Sequence, residues 1–185
     1  MRRQAVSKAL WRAALFWLAA LLWLAGALSA LAAPPPELAR RVSAETPVGC
    51  AQYGALFFRL YRAEVWTDAR QLPMQQFGLS LFYNRTFTRE FLVSSSVSEM
   101  ARMSGRAEES FGTARAELEQ AFRRVTKGDR YTAWRSGRNR VEFFYNGRPT
   151  GALTQDGDLF LDIWLGGGSR GQRQRAQLLF GGCDA

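Results

Sequence analysis

The chain has 185 residues, 25 Lys+Arg against 16 Asp+Glu, and a formal net charge of +9. It contains two cysteines and no histidine. Those counts exclude Ser-His-Asp and Cys-His nucleophilic chemistry, imidazole metal ligation and the usual near-neutral general base, and they leave no ligand set for zinc.

The N-terminus is organised for targeting. Arg2, Arg3, Lys8 and Arg12 form a positive front end with no acid. Residues 13–32 are apolar apart from Gly26 and Ser29, and Ala30-Leu31-Ala32 precedes Pro34-Pro35-Pro36. A basic region, an apolar region, a small-x-small site and then a breaker make a secretory signal peptide over residues 1–32. The apolar run also approaches the length that spans a bilayer, so an uncleaved anchor is the alternative. Either way the expected location is periplasmic or secreted, with membrane contact only through this segment. Removing residues 1–32 leaves 21 Lys+Arg against 16 Asp+Glu, a net charge of +5. The mature part has no basic run of the kind nucleic-acid binding needs.

Residues 33–43 read as a linker, and 44–185 as one domain. Cys50 and Cys183 stand at opposite ends of that domain. In an oxidising compartment a disulfide fits them, with two unlinked thiols as the alternative. Closing so long a loop is worth up to about 4–5 kcal/mol in the chain-entropy account.

Residues 53–67, "YGALFFRLYRAEVWT", predict a strand, and 77–84 a second, by alternation of apolar residues. Residues 88–103 predict a helix weakened by its serine run. Residues 107–125 predict a stronger one: Phe111, Ala114, Leu118, Ala121, Phe122 and Val125 share a face. Glu108 and Glu109 would suit its start, and Arg123, Arg124 and Lys127 its end. Strands are expected at 129–135, 140–146 and 148–154, with Asn146-Gly147 as a tight turn and Pro149 placing the last at an edge. "DLFLDIWLG" (158–166) lies well on a helix with Asp158 as N-cap, with Ile163, Trp164 and Leu165 expected to pack on the sheet and Asp162 on a narrow polar strip as an anchoring ion-pair partner rather than a catalyst. A glycine run then leads to a last helix at 172–180. Hairpins of strands and blocks of helices argue α+β with a mainly antiparallel sheet.

Other motifs carry little. The glycines at 166–168 follow a helix and lack the Lys-Ser/Thr sequel of a phosphate loop. Asn84-Arg85-Thr86 fits a glycosylation sequon that matters only in a eukaryotic secretory pathway. Asp156 and Asp158 suit a helix-opening turn better than a cation site.

Three stretches together point to a family. "RLYRAEVW" (59–66), "GDRYTAWRSGRNRVEFFYNG" (128–147) and "LDIWLG" (161–166) resemble chalcone isomerase-like proteins, in order and spacing from Thr46 to Gly181. The resemblance implies a large antiparallel sheet with helices on one face and a cleft between them. It implies a hydrophobic or amphipathic ligand there: the plant enzymes close a chalcone ring, and related non-enzymatic members bind fatty acids. The enzymes place an arginine shortly upstream of the matched strand, whereas this chain has no Arg or Lys between Thr46 and Phe58. Their threonine falls at Tyr61, so the catalytic set does not carry over residue by residue and catalysis is left open.

The leading expectation is therefore an exported, non-catalytic domain that binds a fatty-acid-like or aromatic molecule. Tyr61 and Arg59, on one face of the strand, would be its polar anchors. No metal or cofactor is expected. An isomerase acting on chalcone-like enones is the first alternative. A structural or partner-binding envelope protein, its cleft filled by its own side chains, is the second.

Overall fold

The computed structural model describes residues 33–55, 58–69 and 73–183. The segment expected as a signal peptide lies outside the described residues. Among the described residues no helix is long and apolar enough to cross a membrane.

Six antiparallel strands run in chain order across one sheet: β1 (Gly49–Ala55), β2 (Phe58–Trp66), β3 (Phe77–Tyr83), β4 (Arg130–Gly137), β5 (Arg140–Tyr145) and β6 (Arg148–Leu153). Between β3 and β4 come α1 (Arg89–Ser104), a 3-10 turn (Glu108–Phe111) and α2 (Gly112–Ala121); α3 (Gly157–Leu165) and α4 (Gln172–Phe180) follow β6. The fold is α+β and chalcone isomerase-like, with the helices packed on one face.

Local chemistry explains most boundaries. Thr88 caps α1 by accepting from the Phe91 N–H at 3.2 Å, and Gly105 ends it at φ 69°. The serine run does not break α1. Ser96 returns its hydroxyl proton to the Leu92 carbonyl at 2.8 Å, while Val93, Val97, Met100 and Ala101 bury the inner face. Packing overrides propensity there. The β5–β6 turn uses Asn146 (φ 48°) and Gly147 (φ 83°), the left-handed pair that matches strand twist. Pro149 sits on the edge strand, as expected.

Four expectations need correction. The run 53–67 is not one strand; its start belongs to β1, which folds back on β2 as a hairpin. Continuous apolar residues through Phe57 hid the reversal. The helix expected over 107–125 opens as a 3-10 turn and ends at Ala121, because Phe122 goes extended (ψ 149°) to bury its ring and Val125 pairs with Phe87. The arginines past it therefore do not close the helix dipole. Asp158 is not the N-cap of α3; Asp156 holds that place at φ 60°, without a side-chain cap. Finally, residues 33–43 are no linker. They lie on the sheet face opposite the helices, where Leu38 (0% exposed) and Val42 pack with Trp66, Trp134 and Phe144.

That second face also buries charge. The Glu37 carboxylate accepts from Arg130 Nη2 at 2.9 Å and from Thr132 Oγ1 at 2.5 Å, and Thr132 meets Ser80 at 3.0 Å. Arg41 lies over the rings of Trp134 and Phe144. Gly78 is needed beneath: a Cβ there would come within 2.5 Å of Leu38 Cδ1.

Cys50 and Cys183 form a disulfide, with Cα atoms 5.0 Å apart.

Candidate functional site

Side chains of β2–β5 and of α1 and α3 do not fill the space between the two layers. A cavity of about 260 Å³ remains. Its floor includes Leu79, Leu81 and Ala133 from the sheet, and its roof Leu92, Phe160 and Trp164 from the helices. Phe91, 52% exposed and stacked on Phe87 at 5.4 Å, also lines it and brings it to the surface.

Tyr61, expected from the sequence as a polar anchor, lies on the lining of this cavity. Its hydroxyl accepts from Trp164 Nε1 at 3.0 Å, a contact spanning 103 residues of sequence. Its ring stacks on Tyr53 at 4.9 Å and 15°, and lies 5.9 Å from Tyr83. Burial pushes its pKa up to about 12, against the pull of the Trp164 hydrogen bond, and the negative charge of Glu99 pushes the same way as burial. Tyr61 is a neutral donor at any ordinary pH.

Arg59 is not beside it. The β1–β2 register pairs Tyr53 with Tyr61 but Gly54 with Arg59, so Leu60 bulges. A bulge slips the side-chain alternation by one. Leu60 therefore joins the cavity lining, while Arg59 is exposed and outside it.

The charged residue that does line the cavity is Glu99 of α1. Arg102 grips it at 2.8 and 2.9 Å, and Arg170 at 2.6 Å. Desolvation pulls the carboxyl up, but these bonds outweigh it and hold the pKa below the usual range. Glu99 is thus a tethered anion and a poor base. Among the described residues no arginine or lysine lines the cavity. Nor does any group of three His, Cys, Asp or Glu side chains there stand ready to hold a metal.

Tyr131 lines the cavity with its hydroxyl already committed, accepting from the Arg123 N–H at 2.7 Å and donating to the Ala121 carbonyl at 3.2 Å. Burial raises its pKa to about 12. Tyr83 is likewise pushed well upward by burial.

The sequence pointed to Tyr61, which lines the cavity, and not to Glu99 or to the Trp164 partner. Nothing local marks Glu99, which reads as an ordinary surface acid of a helix. Trp164 was expected to pack on the sheet. It is 7% exposed, and its indole N–H also fixes Tyr61. Asp162 was expected as an anchoring ion-pair partner, yet it is exposed and, among the described residues, makes no salt bridge. The anchoring acid is Asp158, held by Arg135 at 2.7 and 3.0 Å. One turn separates the two acids, and the turn that reaches β4 takes the arginine.

No protein-family model matches the chain, and no curated protein matches it in sequence. Its fold has solved counterparts. The crystal structure of a fatty-acid binding protein from Arabidopsis thaliana superposes with a TM-score of 0.53, covering 72% of this chain and 85% of that one at 10% identity. At that identity the likeness is one of fold: a single antiparallel sheet with helices layered over one face.

Proposed function

We propose that this protein binds a small apolar molecule in the cavity between β2–β5 and helices α1 and α3, without catalysing a reaction on it. The observation that carries the reading is the cavity itself. A packed interior keeps few voids larger than a water, and this one holds about 260 Å³ behind an exposed phenylalanine. It lies just below the range of about 300–1,000 Å³ usual for drug-sized ligands, which suits a short acyl chain or a small aromatic. The fold likeness to a plant fatty-acid binding protein supports the same reading. A purely structural role would be better served by a filled cleft.

Export belongs to the proposal. It is supported by the basic-then-apolar N-terminus and by the Cys50–Cys183 disulfide, a bond typical of oxidising compartments. Fractionation of cells expressing the full chain tests this: protein found only in the cytoplasm with residue 1 intact would end it.

For binding, the test is titration with N-phenyl-1-naphthylamine, an uncharged probe that fluoresces in apolar surroundings. Saturable fluorescence is expected. Ser95→Trp, on the cavity side of α1, should weaken it by about tenfold or more while circular dichroism stays native. Fluorescence that never saturates, or a tryptophan without effect, would refute the reading.

A second reading is an isomerase acting on an enone, favoured by the Tyr61 hydroxyl beside the cavity. Among the described residues the cavity lining has no cation to hold a phenolate. Loss of chalcone absorbance that depends on the protein and vanishes in Tyr61→Phe would promote it.

A further inference from the structure

If the cavity binds a small molecule, its hydrogen-bonding groups also specify the molecule's polar end. Most hydroxyls on the lining can be followed to their partners, Ser95 making no hydrogen bond to a described residue. Tyr131 is spent on Ala121 and Arg123, and Ser96 on the Leu92 carbonyl. Tyr61 is different: its acceptor side is filled by Trp164 Nε1–H, so its own proton has to leave in another direction. Among the described residues that proton meets no acceptor within hydrogen-bond reach. Tyr83, whose ring lies 5.9 Å from Tyr61, donates to no described residue either.

Charge points the same way. The charged side chain on the lining is an anion, Glu99, and the two arginines that hold it are not on the lining. Arg59, the cation expected to receive a carboxylate, is displaced from the cavity by the Leu60 bulge. A carboxylate entering here would lose its water, find donors but no cation, and lie near a like charge. Burying an unpaired charge is costly, whereas a neutral carbonyl needs only the donor.

We propose that the cavity selects an uncharged apolar molecule with a hydrogen-bond acceptor (a ketone, ester, aldehyde or amide) over a free carboxylate, Tyr61 donating to the acceptor and Glu99 turning anions away. The inference rests on the binding reading above and specifies its ligand class.

The experiment displaces N-phenyl-1-naphthylamine from the purified full chain with a matched series near neutral pH: 2-decanone, methyl decanoate, decane and decanoate. The ketone and ester should compete at concentrations about tenfold lower than decanoate. Tyr61→Phe should erase the advantage of ketone over decane. Glu99→Gln, which retains a group for the two arginines, should narrow the gap between ketone and decanoate severalfold. Decanoate competing as well as the ketone, or Tyr61→Phe weakening ketone and decane alike, overturns this inference while leaving the binding reading standing. Failure of all four compounds to compete, with no saturable probe signal, overturns both.

Discussion

The two faces of the sheet solve opposite problems. On one, the N-terminal segment packs closely: Leu38 drops onto Gly78, two tryptophans and Phe144 surround it, and Glu37 is locked to Arg130 and Thr132. On the other, four helices cover the sheet and leave a cavity of about 260 Å³. The filled face carries buried charges in pairs. The hollow face has hydroxyls, a tethered glutamate and no lining cation among the described residues. A short irregular segment can follow a surface closely, while rigid helices laid across a twisted sheet leave space unless large side chains reach down. The division teaches where stability and binding reside. They are on opposite sides of the same strands.

The largest test of that division is Glu37→Ala. It leaves the Arg130 guanidinium, 19% exposed, without its carboxylate, and an uncompensated buried charge costs about 3–5 kcal/mol. Urea denaturation should show the midpoint falling steeply while probe binding to the folded protein is retained. Next comes a matched pair of truncations. Leu38→Ala should cost about 2–5 kcal/mol, as for a fully buried leucine in a closed core. Leu92→Ala, half-buried beside space already empty, should cost about 1–2 kcal/mol and change probe affinity instead. Equal costs would mean that the faces do not differ as described.

The smallest effect lies at Asp158. Its bonds from Arg135 hold the carboxyl below its ordinary range. The folded pKa is then lower than the unfolded value of about 3.9. The pair contributes fully above the unfolded value, and the contribution is lost as pH falls through the folded one. Asp158 is a third exposed, so about 1 kcal/mol or less is at stake. Melting curves of Asp158→Asn and the parent should differ slightly at neutral pH and converge in acid. Asp162→Asn should differ in the opposite sense, slightly more stable than the parent at neutral pH with the gap closing in acid, since partial desolvation of that carboxyl and the nearby Asp158 push its pKa upward.

How much of this was legible depends on what kind of signal each feature leaves. Alternation along 77–84 and 140–146, the apolar face read over 107–125 and the Asn146-Gly147 turn are local, and they gave the α+β order with its sheet. The hairpin between β1 and β2 left no turn residues to read. The Leu60 bulge is a property of pairing, invisible in one strand, and it reversed the expected placement of Arg59 against Tyr61. "APPPELARRVS" has the proline and charge of a linker, and only the fold shows that its Leu38 and Val42, one turn apart, lie buried on a surface. Glu99 and Trp164 join the site only through helix placement.

The disulfide has a consequence for the sheet's boundary. β1 is an outer strand, and its free side is taken up by the tail: Cys50 N–H donates to the Gly182 carbonyl at 3.1 Å, Gly49 abuts the backbone of Leu178, and Cys183 fastens the arrangement covalently. At the opposite boundary Pro149 cannot donate from β6. An uncovered strand edge is a template for another chain. The crosslink is thus a guard on the sheet's open side. Reduced protein should fail first by sticking to its own kind, seen as light scattering that rises with protein concentration before native circular dichroism is lost.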